Sequence, residues 1–307
     1  MENTNGFDVK NLVVGIDGSS GALNALEWAV RTVGPSGSIH AVAAVAPSTD
    51  FEIDAVPTNS VAYRRALEEA LEATCERAVR GRVAGLTSAA VEGTAANALA
   101  ALAANREADA IVVSTHEGVR GAPHLVGSTI RHLLQVLPCP LIVVPRQARG
   151  GLGHGALIAG VGHGEGTENA VAWAARLAEA RSMPLGLVRA TREGPAFGVD
   201  GLLDIVAYYI DPSVRDRWTA DDLAELAILA QEATTTTISI GTLAVAGLPA
   251  TELVAISESA SLLVIGQHRS VIPAGDHIVQ PLRYALTHAR CPVAVIPLPG
   301  PPSGPVT

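Results

Sequence analysis

Residues 111–134, with the sequence IVVSTHEGVRGAPHLVGSTIRHLL, contain residue types that can bind a phosphate group. An apolar run typical of a buried strand leads through a loop to Gly127, Ser128 and Thr129, which would begin a helix. The free N–H groups and the dipole at a helix start attract anions, and glycine lets the backbone approach a ligand closely. The sequence therefore predicts an anion site here, with an ordinary Ser/Thr helix cap as the alternative.

Glu117 lies in the same loop and opposes phosphate binding. A carboxylate about 4 Å from a phosphate oxygen costs about 4 kcal/mol near a protein surface, roughly three powers of ten in affinity. Two arrangements would remove the conflict. Glu117 could hold Mg²⁺ against the phosphates, or it could face solvent while His116 or Arg120 supplies positive charge. An exposed loop glutamate without a role is the third alternative.

The composition indicates two domains and argues against several classes of partner. The chain has 307 residues, of which 48% are hydrophobic and 17% charged, and its formal charge is −9. This negative charge argues against nucleic acid and membrane surfaces as partners. The apolar runs have strand length, no signal peptide is visible, and the three cysteines form no CxxC pair. We therefore expect a cytoplasmic protein.

An internal repeat sets the domain organisation. ALEWAV recurs as AVAWAA, which aligns Trp28 with Trp173, and LPCPLIVVP recurs as ARCPVAVIP, which aligns Cys139 with Cys291. A chain duplicated in this way has two copies of one fold unit. The predicted parts are a first domain over 1–147, a linker over 148–155, a second domain over 156–299 and a disordered tail over 300–307.

Each copy alternates short apolar runs with amphipathic ones, as expected for a parallel sheet covered by helices on both faces. In the first copy we predict strands at NLVVGID, SIHAVAAVAP, LTSAAVEG, ADAIVVST and PLIVVP, with helices between them. The second helix, over 62–80, would bury one face. Its residues are Ala66, Leu67, Ala70, Leu71 and Thr74. The predicted fold class is therefore α/β, with two tandem doubly wound five-stranded parallel-sheet domains that bind ligands at the carboxyl ends of their strands.

The second copy is longer than the first because of an insertion around residues 199–237. It holds Tyr208, Tyr209 and Trp218, a large share of the few aromatic residues. A partner-binding surface and a lid are two interpretations. Packing of a long connection on its own domain is the third, and it is the usual one.

These segments resemble the universal stress protein family, present twice in tandem. VVGIDGSSGALNALEWA is similar to the family's first strand, acidic residue and first helix, and residues 108–145 resemble its closing half. The resemblance implies a Rossmann-like fold of the adenine-nucleotide α-hydrolase type, with two pseudo-twofold related domains. Domains of the family pair through their last strands, so PLIVVP and PVAVIP would pair within one chain. A homodimer of the whole chain is a further expectation.

Nucleotide-binding members of the family carry Gly, two residues, Gly, nine residues and then Gly-Ser or Gly-Thr. In the first copy this spacing places Ser114 and Glu117 at the two leading glycines. The family's acidic residue after strand one meets the ribose, although a capping role for it is the alternative here. Backbone groups after strand two contact the adenine, and either Ala44 or Val45 takes that place. The implied nucleotide-binding residues are Asp17, Val45, Ser114, Gly127, Ser128 and Thr129.

The second copy departs from this pattern. The residues at the family's positions are Gly162, Gly266, Arg269, Val279 and Gln280. Gly162 removes the acidic side chain, and Val279 puts a branched side chain where the backbone should approach a ligand. Pro281, which corresponds to Thr129, has no N–H to donate. We therefore expect the second domain to hold no nucleotide.

The resemblance implies a regulatory or binding protein, not an enzyme, with at most a weak ATPase activity. ATP or a related adenine nucleotide, with Mg²⁺, would bind the first domain, and an unknown regulatory protein would be the partner. One alternative is a nucleotide-independent stress protein that acts through protein–protein contacts. The other is an enzyme of the related α-hydrolase superfamily, which lacks support because the sequence has no GxSxG elbow and no P-loop.

Overall fold

One continuous sheet of ten strands, with helices on both faces, forms the centre of the protein in a computed structural model. The structure describes residues 7–45, 61–115, 126–148, 150–153, 155–162, 166–191, 221, 224–232, 234, 238–267 and 280–298. Several sequence predictions fall outside these residues. They concern His116, Glu117, Arg120, Tyr208, Tyr209, Trp218, Arg269, Val279 and the tail over 300–307.

The strands and helices alternate along the chain in both repeats. The strands are β1 (Asn11–Gly15), β2 (Ser38–Val45), β3 (Gly85–Glu92), β4 (Ala110–Ser114), β5 (Leu141–Val144), β6 (Ala156–Gly160), β7 (Leu185–Thr191), β8 (Ile240–Ala246), β9 (Ala260–Gly266) and β10 (Val293–Ile296). The helices are α1 (Ser20–Val33), α2 (Val61–Val79), α3 (Ala95–Asn105), α4 (Ser128–Val136), α5 (Gly166–Arg181), α6 (224–232), α7 (Pro249–Ile256) and α8 (Gln280–His288).

The order of the strands shows two copies of one doubly wound unit. The sheet runs β3-β2-β1-β4-β5-β10-β9-β6-β7-β8, so each half is parallel and has the same internal order. The halves meet where β5 pairs antiparallel with β10, with Ile142 opposite Ala294. The predicted α/β class, the pseudo-twofold relation and the pairing through the last strands are confirmed.

In the first repeat every predicted strand and helix is present. The prediction of which residues of α2 are buried is partly wrong. Ala66 and Ala70, which were predicted to be buried, are exposed. The core side of the helix is formed by Leu71, Cys75 and Val79, which recur every fourth residue. Alanine is compatible with either side of a helix, so it does not fix the helix rotation.

The core is shared by the two repeats. The sheet separates two buried layers, and each layer contains residues from both halves. Trp28 on α1 and Trp173 on α5, the aligned tryptophans, are 3% and 4% exposed in the same layer. None of the helices in the described part of the chain is long and apolar enough to cross a membrane.

Arg181, at the end of α5, joins the second repeat to the first. Its guanidinium donates to Asp8 Oδ1 at 2.5 Å, to the carbonyl of Thr32 at 2.8 Å and to the carbonyl of Val9 at 3.1 Å. Phe7 lies next to this contact and meets Trp173 edge to face, with ring centroids 6.0 Å apart. The start of the first repeat is thus held against the first helix of the second.

The described part of the insertion packs on its own domain. In α6, Leu226 is fully buried in the core layer that contains β7. Glu225, next to it, forms an ion pair with Arg189 of β7, whose side chain is buried. This agrees with the interpretation of the insertion as a long connection, as far as residues 224–232 are concerned.

His40 on β2 is a buried titratable residue. Its Nδ1 lies 2.6 Å from Thr87 Oγ1 on the neighbouring strand β3. Burial, and to a smaller extent the Arg106 guanidinium, lower the pKa of His40 below the usual 6.5. The folded protein therefore takes up a proton on this ring at a lower pH than the unfolded chain does.

We expect the free energy of unfolding to decrease as the pH falls below 6.5, the ordinary pKa of this histidine. Above that pH the ring is neutral in both states, and its contribution is complete. His40→Gln should remove this part of the pH dependence, whereas His132→Gln, at an exposed position, should retain it. Urea denaturation at about pH 7.5 and 5.5 measures the difference. An equal loss in wild type and His40→Gln would contradict the assignment to His40.

Candidate functional site

A cavity of about 260 Å³ opens at the carboxyl ends of β1, β2 and β4 in the first repeat. Five of the six predicted site residues line it: Asp17, Ser114, Gly127, Ser128 and Thr129. Apolar side chains form the rest of its wall, and sequence reasoning did not name them. They include Ile16, Val42, Leu99, Val113 and Ile130. The rule that parallel sheets bind ligands at the carboxyl ends of their strands was the signal for the residues from β1, β2 and β4.

The start of α4 presents backbone N–H groups to this cavity. Gly127 is the N-cap residue and none of the described side chains caps the helix, while the first intrahelical bond runs from the Arg131 N–H to the Gly127 carbonyl over 3.0 Å. By contrast, Ser19 caps α1 and Thr94 caps α3 through their hydroxyl oxygens. The N–H groups of residues 128–130 therefore remain available to an anion, as they would at a phosphate site.

Asp17 follows β1 and organises the turn into α1. Its Oδ1 accepts from the Ser19 N–H at 2.9 Å, and Ser19 Oγ accepts from the Ala22 N–H at 3.1 Å. In the second repeat the aligned Gly162 has no side chain, and Thr167 bonds to its N–H and carbonyl at 3.3 and 3.0 Å. The same turn is thus closed without a carboxylate. Asp17 therefore lies at the cavity as predicted, whereas the helix cap considered for it is Ser19, whose N–H it binds.

The structure distinguishes Ala44 from Val45, the two residues considered for an adenine contact. Backbone groups of a strand alternate between its two neighbouring strands. The Val42 carbonyl accepts from Ile16 on the β1 side, so Ala44 faces the same side, beyond the end of β1 and at the cavity. The Val45 carbonyl faces β3 and accepts from Gly93 at 2.9 Å. The structure therefore brings Ala44 to the cavity, not Val45.

Ser114, at the end of β4, lies between the cavity and the start of α1. A Cβ added at Gly21 would be 3.0 Å from Ser114 Oγ, so the serine side chain occupies the space between strand and helix. In the second repeat Gly266 aligns with Ser114 and Gly166 with Gly21. There the backbones touch, because a Cβ at Gly266 would be 2.1 Å from the Gly166 carbonyl oxygen. The glycine that the second repeat retains therefore serves helix–strand packing.

The cavity carries little charge of its own. Asp17 is the one ionisable residue in its described lining, and no basic side chain is present there. No group of three or more His, Cys, Asp or Glu that could hold a metal ion occurs among the described residues. Mg²⁺ that arrives with phosphates needs only one or two protein carboxylates. Asp17 is the one carboxylate of the described lining, and its Oδ1 already accepts from the Ser19 N–H.

The cysteines do not have the properties of nucleophiles. Burial raises the pKa of Cys75 to about 11 and that of Cys291 to about 12. The pKa of Cys139 is also raised to about 12, first by burial and then by the charge of Asp109. Thiols with such pKa values stay protonated at neutral pH, and the protonated form does not attack.

The universal stress protein family matches the chain twice, over residues 8–145 and 156–297. Among solved structures, a universal stress protein from Archaeoglobus fulgidus DSM 4304 is similar at 14% identity and a TM-score of 0.65, covering 95% of this chain and 98% of that one. A functionally unknown protein from Pseudomonas aeruginosa PAO1 is similar at 13% identity and a TM-score of 0.58, covering 94% and 93%. No curated protein matches the sequence. These structural similarities show a shared fold.

Proposed function

Because the chain belongs to the universal stress protein family, we propose that it is a cytoplasmic regulatory protein whose first domain binds ATP or a related adenine nucleotide. The observation that carries the proposal is the start of α4, which no described side chain caps, at one end of a largely apolar cavity. The N–H groups there bind the phosphates, and the apolar wall receives the base. An unidentified protein partner recognises the nucleotide-bound state.

The size of the cavity supports a division of the nucleotide into two parts. Its volume of about 260 Å³ is close to the lower end of ligand pockets, which start at roughly 300 Å³. The base and ribose fill the enclosed part, with the adenine against the Ala44 backbone and the ribose near Asp17. The phosphates extend over the helix start towards solvent. Mg²⁺ offsets their charge, because the described lining offers no basic side chain.

The second domain is a structural support in this proposal. It lacks an acidic residue at Gly162, and Pro281 removes an N–H from the start of α8. The contact between Gly166 and Gly266 also leaves no room there for a side chain. We therefore expect the protein to bind one nucleotide per chain.

A calorimetric titration of the full chain with ATP and Mg²⁺ tests this expectation, with a stoichiometry near one as the predicted result. Mass spectrometry of the purified protein after denaturation should in addition detect a copurified adenine nucleotide. A second nucleotide per chain whose binding Gln280→Glu removes would contradict the assignment of the second domain. The absence of both binding and copurified nucleotide would favour the alternative, a stress protein that acts by protein–protein contacts alone.

A further inference from the structure

A second concave feature of the first repeat lies towards the amino ends of the strands, opposite the cavity at their carboxyl ends. α1 leaves the carboxyl end of β1 and leads to the amino end of β2, and α2 likewise leads to the amino end of β3. The last turns of both helices are therefore at the amino ends of the strands. An open groove of about 590 Å³ lies between these helices, and its described lining shares no residue with that of the cavity.

Basic side chains dominate this groove. The charged residues of its described lining are Arg31 and Glu27 on α1, Arg77 in the last turn of α2, and Arg80 and Arg82 just beyond it. Glu27 offsets one arginine, through an ion pair of 2.6 Å with Arg31. The chain has a formal charge of −9, so this concentration of positive charge runs against its general character.

The other three arginines are oriented by contacts that leave their positive charge uncompensated. Arg77 Nη2 donates to Thr74 Oγ1 at 3.2 Å, Arg80 Nε to the Arg77 carbonyl at 3.1 Å, and Arg82 Nε to the Val79 carbonyl at 3.1 Å. In the described part of the chain, none of the three forms an ion pair with a carboxylate. A guanidinium has five N–H donors, so each keeps several for a ligand.

We propose that this groove binds a small anion with two or more phosphate groups. Guanidinium groups bind phosphate through paired N–H donors, and arginines on two helices can contact successive phosphates. Basic side chains also stabilise the carboxyl end of a helix, which accounts for the hydrogen bonding of Arg82 to carbonyls at the end of α2. Arg31 lies in the last turn of α1, so the same role accounts for it, but that role does not require both helix ends to line one groove. A long polyanion is disfavoured because the chain as a whole has a formal charge of −9.

Inorganic tripolyphosphate is the probe for this proposal, titrated calorimetrically into the full chain without nucleotide. Arg77→Gln combined with Arg80→Gly should weaken its binding about tenfold or more, because two charge-assisted contacts are lost. Arg80 has φ +48°, a conformation that glycine adopts more easily, so Arg80→Gly alone should be at least as stable as wild type. A weaker affinity of this single variant cannot then be attributed to unfolding.

Arg64→Gln with Arg65→Gln is the matched control, because it removes the same charge from the other end of α2. These arginines already pair with Glu92 at 3.1 Å and Glu69 at 3.0 Å, and their loss should change the affinity less than twofold. Equal weakening in both double variants would show a general charge effect and overturn the proposal. Tighter binding of an oligonucleotide or an acidic peptide than of tripolyphosphate would overturn the assignment to a small anion.

The groove and the nucleotide cavity are tested independently of each other. Ser128→Glu, which alters the cavity, should leave tripolyphosphate binding at the groove unchanged. If Ser128→Glu removes tripolyphosphate binding and the groove variants do not, the anion binds at α4 and the groove proposal fails. If ATP does not bind the cavity at all, the proposed function fails while the groove prediction stands.

Discussion

Ser128→Glu is expected to remove measurable ATP binding without unfolding the protein, and Gln280→Glu is expected to change neither property. The two residues begin the last helix of each repeat, so the same side chain is added at corresponding positions. A carboxylate about 4 Å from a phosphate costs about 4 kcal/mol, or roughly three powers of ten in affinity. A carboxylate at a helix start stabilises the helix by roughly 0.3–1 kcal/mol, so both variants should fold.

Calorimetric titration with ATP and Mg²⁺, together with thermal denaturation, compares these two variants with the wild type. Wild-type affinity in Ser128→Glu would show that the phosphates do not bind at α4. An equal loss in Gln280→Glu would place the nucleotide in the second repeat. Either result would refute the proposed site, whereas a loss confined to Ser128→Glu supports it.

The parts of the fold that the sequence predicts are those determined by buried strands. β1, β4 and β5 are continuous apolar runs because both faces of the sheet are covered, and such runs are recognisable without tertiary information. The rotation of α2 was not recognisable in the same way, since Ala66 and Ala70 suit either environment. The contact of Arg181 with Asp8 depends on how two repeats meet, and nothing in their separate patterns indicates it.

For the candidate site, the family's motif laid onto this sequence was enough to name five residues that line one cavity. The exception is Val45, which is the neighbour on β2 of Ala44, the residue that does line the cavity. Whether Ala44 or Val45 faces a ligand depends on where β1 ends, and that end is set by pairing with both β2 and β4. Sequence patterns locate strand ends only within a few residues, so this choice required the structure.

In the second repeat, α5 approaches β9 so closely that adding a methyl group there should cause a large loss of stability. A Cβ at Gly166 would be 2.1 Å from the Gln267 carbonyl oxygen, and one at Gly266 would be 2.1 Å from the Gly166 carbonyl oxygen. In the first repeat a Cβ at Gly21 would be 3.0 Å from Ser114 Oγ and 3.2 Å from Ser114 Cβ, so the hydroxyl can rotate away and the rest needs only a small shift. Gly166→Ala and Gly21→Ala thus add one methyl group at aligned positions with different surroundings.

We expect Gly166→Ala to lower the free energy of unfolding by about 3 kcal/mol, because backbone atoms must move to accommodate the methyl group. Gly21→Ala should change it by less than about 1 kcal/mol, since rotation of the Ser114 hydroxyl and a small shift relieve the contact and alanine reduces the entropy of the unfolded chain. Gly266→Ala disturbs the same contact from the other side, so the double variant with Gly166→Ala should cost less than the sum of the two. Urea denaturation of the four variants measures these differences.

Equal costs at Gly21 and Gly166 would mean that α1 and α5 approach the sheet equally closely. The retained glycine of the second repeat would then need an explanation other than packing.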